Sequence, residues 1–528
     1  MTAGGASTTH TLDRTLAPGE SIVVRIDDTP VLVGRLADGA LYAVDNRCPH
    51  EGYPLAKGTV DGCVLTCRWH NFRFDVRTGH ALQGDEAVRT WPVREEEGGI
   101  VLDTTPPDPD LQRTRHRAAF REAVLDGRNG QAAREVARLL VLGVAPRSLL
   151  IDLCRLDGRH SRYGTTHVLP LAADVLAQMP NGTDRVTREH QVLLVQQVVD
   201  VAIRSVQRRP ERPVESVHVD DPVQALRAAL ADEAPDRAEA LARLAAGRDP
   251  EGLYAAFVQR CGDHFLGFGH GLIYTTKLAE LGAIDDPDIV GGLARQLIGL
   301  TPEDVLPEWA PWRAWRDTLD ADALARIPAQ TAGPDDLVPR LVDAPPRAAY
   351  PLVAEALTAG RRHDVLDALT VVAAARVQRF DARIDGDHTV QNDWLDVTHI
   401  LTFADAVRRV DLATPTGIRL LLQLTRFATH HRVLDGRPHP RSHPDPVGTA
   451  REAALADVYT APIVVAHVLK TAAAAERLAS ELPVPWSEAP LDALDAFVSQ
   501  PVQQRFQARA VADACRFVFD GKVPRSRT

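Results

Sequence analysis

Lysine is nearly missing from this chain. The 528 residues contain four, at positions 57, 277, 470 and 522, so arginine carries almost all of the basic charge and each lysine invites a reason. Acidic residues outnumber basic ones by 71 to 60, and a net charge of −11 without any basic tract argues against a nucleic-acid partner or an anionic membrane surface. No apolar run approaches the roughly 20 residues that a spanning helix needs. The opening MTAGGASTTHTLDRT has no charged segment with an apolar stretch behind it, so no leader is expected and the protein reads as cytoplasmic. Of six cysteines, Cys63, Cys154, Cys261 and Cys515 are too scattered for a disulfide framework, which points to a reducing compartment.

The other two cysteines belong to a pattern. Cys48-Pro49-His50 is followed, after sixteen intervening residues, by Cys67-Arg68-Trp69-His70. C-x-H with C-x2-H is the ligand order of a Rieske 2Fe-2S centre, in which two thiolates serve one iron and two imidazoles the other. A zinc site more often pairs Cys with Cys and His with His. CPHEGYPLAKG and CRWHNFRFDVRTG set each pair in a Gly- and Pro-marked turn between alternating apolar stretches, as two loops at the tip of a small β-sandwich require. Residues from about 10 to 105 thus resemble a Rieske ferredoxin domain. The resemblance implies that Cys48 and Cys67 hold the inner iron and His50 and His70 the solvent-facing one, with an external reductase or ferredoxin as electron donor. Neither loop carries the extra Cys that respiratory Rieske proteins join into a disulfide, and Phe72 and Phe74 stand where those proteins present hydroxyls to the cluster sulfurs. Fewer donors leave the reduced cluster less stabilised, which implies a potential near the low end of the Rieske range, roughly −150 mV. Cys63 reads as a packing residue of the neighbouring strand.

A chain of this length needs two or more domains. The segment TTPPDPDLQ at 104–112 has the content of a linker, and the texture changes across it from strand-like to helical. Beyond it, stretches such as EHQVLLVQQVVDVAIRSVQRR and REAALADVYTAPIVVAHVLKTAAAAERLASEL repeat apolar residues at three- and four-residue spacing. The expected architecture is a small all-β Rieske domain over 1–105, a linker over 106–112 and a large all-α domain over 113–528, with loops at 209–222, 331–347 and 436–448.

The usual catalytic partner of an N-terminal Rieske domain is β-rich and binds mononuclear iron through D-x2-H-x4-H. Here the nearest echo is Asp396-x2-His399, with Phe403 and Ala404 where the second His belongs. Four settings supply candidate acceptors: His167 in TTHVLPLAADVL, His270 in LGFGHGLIYTTKLAEL, His399 in WLDVTHILTFADAV and His467 in PIVVAHVLKTAAAA. Each His has apolar neighbours three or four residues away, which puts it on or beside a buried helix face. Inward imidazoles from facing helices can hold non-haem iron, and a buried His bonded to a nearby carbonyl is the plainer alternative.

These same blocks, THVLPLAADVL, HGLIYTTKLAELG, DWLDVTHILTFADAV and HVLKTAA, resemble successive helices of the questin oxidase-like family over residues 160–480. That resemblance implies an all-α scaffold acting on anthraquinones or related aromatic polyketides, with His167, His270, His399 and His467 as ligands of a mononuclear iron. Fusion to a Rieske domain departs from the family's fungal pattern and changes the source of electrons.

Two residues are candidate catalytic groups. Lys470, three after His467, shares its helix face; it can snorkel to solvent, become a carbamate ligand or pair with a phenolate, and snorkelling is the ordinary fate. Lys277, seven after His270, invites the same readings. Asp396, one turn before His399, is the nearest conventional carboxylate, or else an exposed helix-face charge. Trp309, Trp312 and Trp315 lie on one side of an expected helix, with core packing as the default; Gly267, Gly269 and Gly271 read as glycines packed within a helix, not as a nucleotide loop.

The leading expectation is an oxygenase in which the Rieske cluster passes electrons to non-haem iron in the helical domain, where O2 acts on a small aromatic or polyketide-like substrate by hydroxylation or ring cleavage. Rieske oxygenases assemble rings, which implies a homo-oligomer. The alternatives are an electron carrier whose helical part is only a docking scaffold, and an HD-type metal site around His363 and Asp364.

Overall fold

The computed structural model describes residues 8–459, 461–503, 506–522 and 525. The chain divides into two compact units, Met1–Thr114 and Arg115–Thr528. It is 57% helical and 9% strand, and the small all-β region precedes the large helical one, as expected. The stretch expected as a linker is partly helical: a helix begins at Pro109, where proline's fixed φ suits a first turn and its missing N–H costs no hydrogen bond.

The first unit contains β1 (Thr9–Leu12), β2 (Ser21–Ile26), β3 (Thr29–Arg35), β4 (Leu41–Asp45), β5 (Thr59–Asp61), β6 (Val64–Thr66), β7 (Arg73–Asp75), β8 (Ala81–Gln83), β9 (Val93–Glu96) and β10 (Gly99–Asp103). They form three antiparallel sheets, β1-β10-β9, β2-β3-β4 and β5-β6-β7-β8. The β6–β7 hairpin pairs Leu65 with Phe74 and Thr66 with Arg73, so residues 67–72 are forced into its connecting loop. Leu55, Leu65 and Phe74 are fully buried in one apolar cluster with Cys48 and Cys67, which fixes the bases of both motif loops to a single core. Cys63 packs at the edge of the same cluster.

In the second unit four helices close a ring by packing on one another in turn: Val168–Ala177 on His270–Glu280, His270–Glu280 on Trp394–Arg408, Trp394–Arg408 on Pro462–Glu481, and Pro462–Glu481 on Val168–Ala177. Each carries an apolar face. Pro462 opens the last of them and an Asp393/Asp396 capping box opens Trp394–Arg408.

The glycine run differs from its expectation. Gly267 and Gly269 have φ of 50° and 83° and lie in the turn before the His270 helix; Gly271 alone is helical. A Cβ on Gly269 would lie 2.6 Å from the Phe403 ring, so this left-handed turn needs glycine both for its backbone and for its space. The tryptophans are core: Trp309 and Trp312 are buried, with Trp312 Nε1 donating to Leu422 O at 2.8 Å, and Trp315 stacks on Tyr350. A short helix, Val338–Val342, interrupts the loop expected at 331–347.

Candidate functional site

Two groups of ligand-type side chains stand out, one in each unit. In the first unit the two motif loops have the same construction. Cys48 N donates to Tyr53 O and Gly52 N to Cys48 O; Cys67 N donates to Phe72 O and Asn71 N to Cys67 O. In each loop the fourth residue after the cysteine is left-handed, Gly52 at φ 77° and Asn71 at φ 59°. That turn folds each loop back so that its His follows its Cys to the same end. The His50 and His70 rings meet edge to face at 4.9 Å, His50 stacks on Phe72 at 4.5 Å and Trp69 on His70 at 4.9 Å.

The donor set fits a Rieske cluster. Both thiols are buried, and burial with the Cys67 sulfur alongside pushes Cys48 up to about 11, so two thiolates here call for cations between them. The Nδ1 of His50 is buried without a hydrogen-bond partner, as a nitrogen reserved for a metal would be. Phe74 is a fully buried core residue of β7 and offers neither sulfur a hydroxyl.

In the second unit His167, His270, His399 and His467 place one nitrogen each within 4.8 Å of all the others. The Nε2 atoms form a chain around the ring of helices: His167 to His270 at 3.2 Å, His270 to His399 at 2.9 Å, and His399 to His467 at 3.1 Å. The opposite nitrogens are already engaged. His270 Nδ1 donates to Gly267 O, His399 Nδ1 to Leu395 O and His467 Nδ1 to Ile463 O, at 2.5–2.7 Å, while His167 Nδ1 meets the Tyr274 hydroxyl at 3.2 Å.

A carbonyl oxygen only accepts, so each of those three Nδ1 atoms carries the ring's proton and the Nε2 lone pair points inward. Bare lone pairs at such separations repel. Protonation is opposed, because burial lowers all four imidazoles, His270 to about 3 and the other three well below the ordinary range. A shared metal ion resolves the conflict: with metal–nitrogen bonds of about 2.1 Å, neighbouring ligands stand roughly 3.0–3.4 Å apart. His399 and His467 are buried and His167 and His270 half-buried, so the group opens toward the last two.

Neighbouring residues hold these rings in place. His167 sits in a turn anchored by Asp157, a fully buried carboxylate that accepts from Thr166 N at 2.6 Å and from the hydroxyls of Thr165, Thr166 and Ser205. Burial pushes Asp157 up to about 6 despite these donors. Further along, each of the four helices or its end adds a charged residue to a buried clamp. Lys277 Nζ donates to Asp174 at 2.8 Å and to Glu280 at 2.7 Å, and Arg477 donates to Asp405 at 2.5 Å and to Asp174 at 3.4 Å. Tyr274, Asp157 and the clamp were not anticipated from sequence; Tyr274 four residues after His270 was the available signal.

Lys470 does not snorkel. Its side chain is 1% exposed, its Nζ finds no hydrogen-bond partner among the described residues, and burial lowers it to about 8. Its charge reaches all four imidazoles and is the largest charged influence on His167, His270 and His467. Lys277, by contrast, is committed to the clamp. Asp396 is not part of the four-histidine group around His399; its Oδ2 accepts from Asp393 N at 2.7 Å and closes the capping box, and burial raises it. His363 is exposed and Asp364 accepts from Ala332 N and Arg361, so no ligand group forms there among the described residues.

Comparison with known proteins concerns the first unit. Residues 9–94 match the family model described as Rieske [2Fe-2S] domain. The ferredoxin component of the p-cumate 2,3-dioxygenase system of Pseudomonas putida is 36% identical over 91 residues, 17% of this chain and 77% of that protein. The 3-phenylpropionate/cinnamic acid dioxygenase ferredoxin subunit of Escherichia coli (strain K12) is 31% identical over 93 residues, 17% of this chain and 88% of that protein. The 4beta-methylsterol monooxygenase of Methylococcus capsulatus is 34% identical over 111 residues, and there the chain spans only 30% of the relative and the match 19% of this chain. Among the described residues no helix is long and apolar enough to cross a membrane.

Proposed function

This chain belongs to the Rieske [2Fe-2S] domain family through residues 9–94, and from that premise we propose that it is an oxygenase whose helical unit holds a non-haem iron reduced through the cluster. The observation that carries the reading is the convergence of four Nε2 atoms from four helices or their ends, three of them held unprotonated by backbone carbonyls, in a chain that also carries an electron-transfer domain. When bound, the cluster supplies single electrons and the iron supplies O2 activation.

The protein's own contribution is positional. Cys48 and Cys67 anchor the cluster from the core side, while His50 and His70, less buried, mark the edge that meets an external reductase. The backbone carbonyls of Gly267, Leu395 and Ile463 fix three imidazoles in the metal-ready tautomer. Phe268, at φ 54° between two left-handed glycines, is half-exposed with its ring 6.4 Å from that of His399. An exposed aromatic face held there in a strained conformation suits a planar aromatic or polyketide-like substrate, which fits the helical blocks' likeness to the questin oxidase-like family.

A second reading treats the chain as an electron carrier with a helical docking scaffold, and the ferredoxin components among its relatives favour it. The two part in one experiment. The full chain is reduced anaerobically, mixed with O2 with and without a panel of aromatic phenols and quinols, and followed by the cluster's absorbance. The oxygenase reading expects substrate-stimulated reoxidation with oxygenated product in the wild type, and loss of both in His399→Ala with the cluster intact. Equal rates in the two proteins, without product, would leave the carrier.

A further inference from the structure

Arg426 is a buried cation without an acceptor. It lies on the helix Pro415–His430, is 4% exposed, and makes no hydrogen bond or ion pair among the described residues. Its guanidinium lies instead over the Trp309 ring, 4.8 Å from the centroid. Burial lowers it to about 10, and the ionisable groups within its electrostatic reach are Tyr350, Glu308 and Glu303. Neither glutamate closes on it: Glu303 Oε1 accepts from Phe268 N at 2.7 Å, and Glu308 is exposed. A guanidinium buried in this way lacks the paired anion that would offset its desolvation.

Two more polar groups stand near the same charge, and neither makes a hydrogen bond among the described residues. Tyr350 is buried on the helix Pro346–Thr358, stacks on Trp315 at 4.3 Å and feels Arg426 at its hydroxyl. His430, one turn after Arg426 on the same helix face, is lowered to about 4 by burial and by that guanidinium. A guanidinium, a phenol and a neutral imidazole can all donate. The aromatic wall behind them leads toward the histidines: Trp309 packs on Phe265 at 4.9 Å and Phe265 on Phe403 at 5.3 Å, and Phe403 follows His399 by one turn.

We propose that Arg426, Tyr350 and Trp309 form an anion subsite that holds a carboxylate carried by the aromatic substrate. The carboxylate takes the guanidinium's parallel N–H groups and the phenol's proton, and the ring that carries it lies along the aromatic wall. Assigning that carboxylate to a substrate rests on the oxygenase reading; its binding does not.

The test titrates the full chain, with its cluster, calorimetrically with 2-naphthoate, the neutral 2-naphthamide and acetate. 2-Naphthoate should bind at least tenfold more tightly than either, and Arg426→Gln should erase that preference with the cluster and far-UV spectra unchanged. Should Arg426→Gln not fold, Arg426→Lys keeps the charge without the fork and Tyr350→Phe removes only the hydroxyl; each should reduce the preference several-fold. Equal binding of naphthoate and naphthamide, binding of neither, or undiminished preference in the variants would overturn the subsite. Acetate binding as tightly as naphthoate would overturn the substrate carboxylate in favour of a free small anion. Naphthoate held through Arg426 in a chain that binds no iron beyond the cluster would instead sink the oxygenase reading and leave the anion subsite standing.

Discussion

His270 Nε2 lies 2.9 Å from His399 Nε2 while the other nitrogen of each ring donates to a backbone carbonyl, Gly267 O and Leu395 O. Neither ring can place a proton between them without giving up its carbonyl bond or becoming charged, and burial opposes the charge. The pair is therefore arranged for a cation, and the contacts to His167 and His467 extend the same arrangement to four ligands.

The clamp beyond the histidines should be essential to that geometry. Lys277→Met leaves Asp174 and Glu280 without their closest cation and should cost about 3–5 kcal/mol of stability, read from urea unfolding. A variant that survives should bind the second metal more weakly with the Rieske spectrum unchanged. Full metal affinity in a destabilised Lys277→Met would separate the clamp from the site.

Gly84 supports the cluster indirectly. It has φ 105°, and a Cβ there would lie 2.0 Å from the Phe72 ring that stacks on His50. Gly84→Ala should cost about 1–3 kcal/mol through overpacking and backbone strain. It should also shift the g-values of the reduced cluster by moving His50. An unaltered signal with unaltered cluster retention would show that Phe72 does not position the ligand.

Asp396→Ala should behave as loss of a cap. About 1 kcal/mol of stability is expected to go, with iron content unchanged, because the carboxylate closes the Asp393 capping box instead of joining the histidines. Loss of one iron per chain in this variant would restore the carboxylate to the site.

Acid sensitivity should trace in part to His431, which is buried, donates to Phe427 O at 2.9 Å and is pushed down to about 3 by burial with Arg426, Arg376 and His430 nearby. Its unfolded value is about 6.5, so between those limits the unfolded chain binds more protons and stability falls as pH drops. From pH 7 to 5 this one group should remove about 2 kcal/mol. His431→Leu should show a correspondingly flatter profile in urea unfolding at the two pH values; parallel profiles would contradict the assignment.

The candidate Rieske ligands stand out in the sequence because all four lie within twenty-three residues and their order is chemically specific. The four helix-embedded histidines were legible as a set because apolar spacing reveals which face is inward. Depth along that face is not written in the spacing. Lys470, one turn from His467, has the same periodicity whether its stem ends in solvent or, as found, in the core. Asp396 before His399 looks alike as a metal carboxylate or as the third residue of a capping box, and only the Asp393 backbone contact distinguishes them. The glycine run showed no strand before it, which correctly excluded a nucleotide loop, but an apolar context hid the left-handed turn that Gly267 and Gly269 make. Asp174 follows His167 by seven residues, as Lys277 follows His270; that repeat becomes an ion pair only once the two helices are known to be neighbours.

The central claim is that a second metal sits among the four histidines, and its most direct test is iron quantitation on the anaerobically reconstituted full chain, paired with the spectrum of the reduced protein. About three irons per chain are expected, falling to about two in His270→Ala and His399→Ala with the Rieske signal preserved. Two irons in the wild type, with no other transition metal bound and no change in either variant, would contradict it.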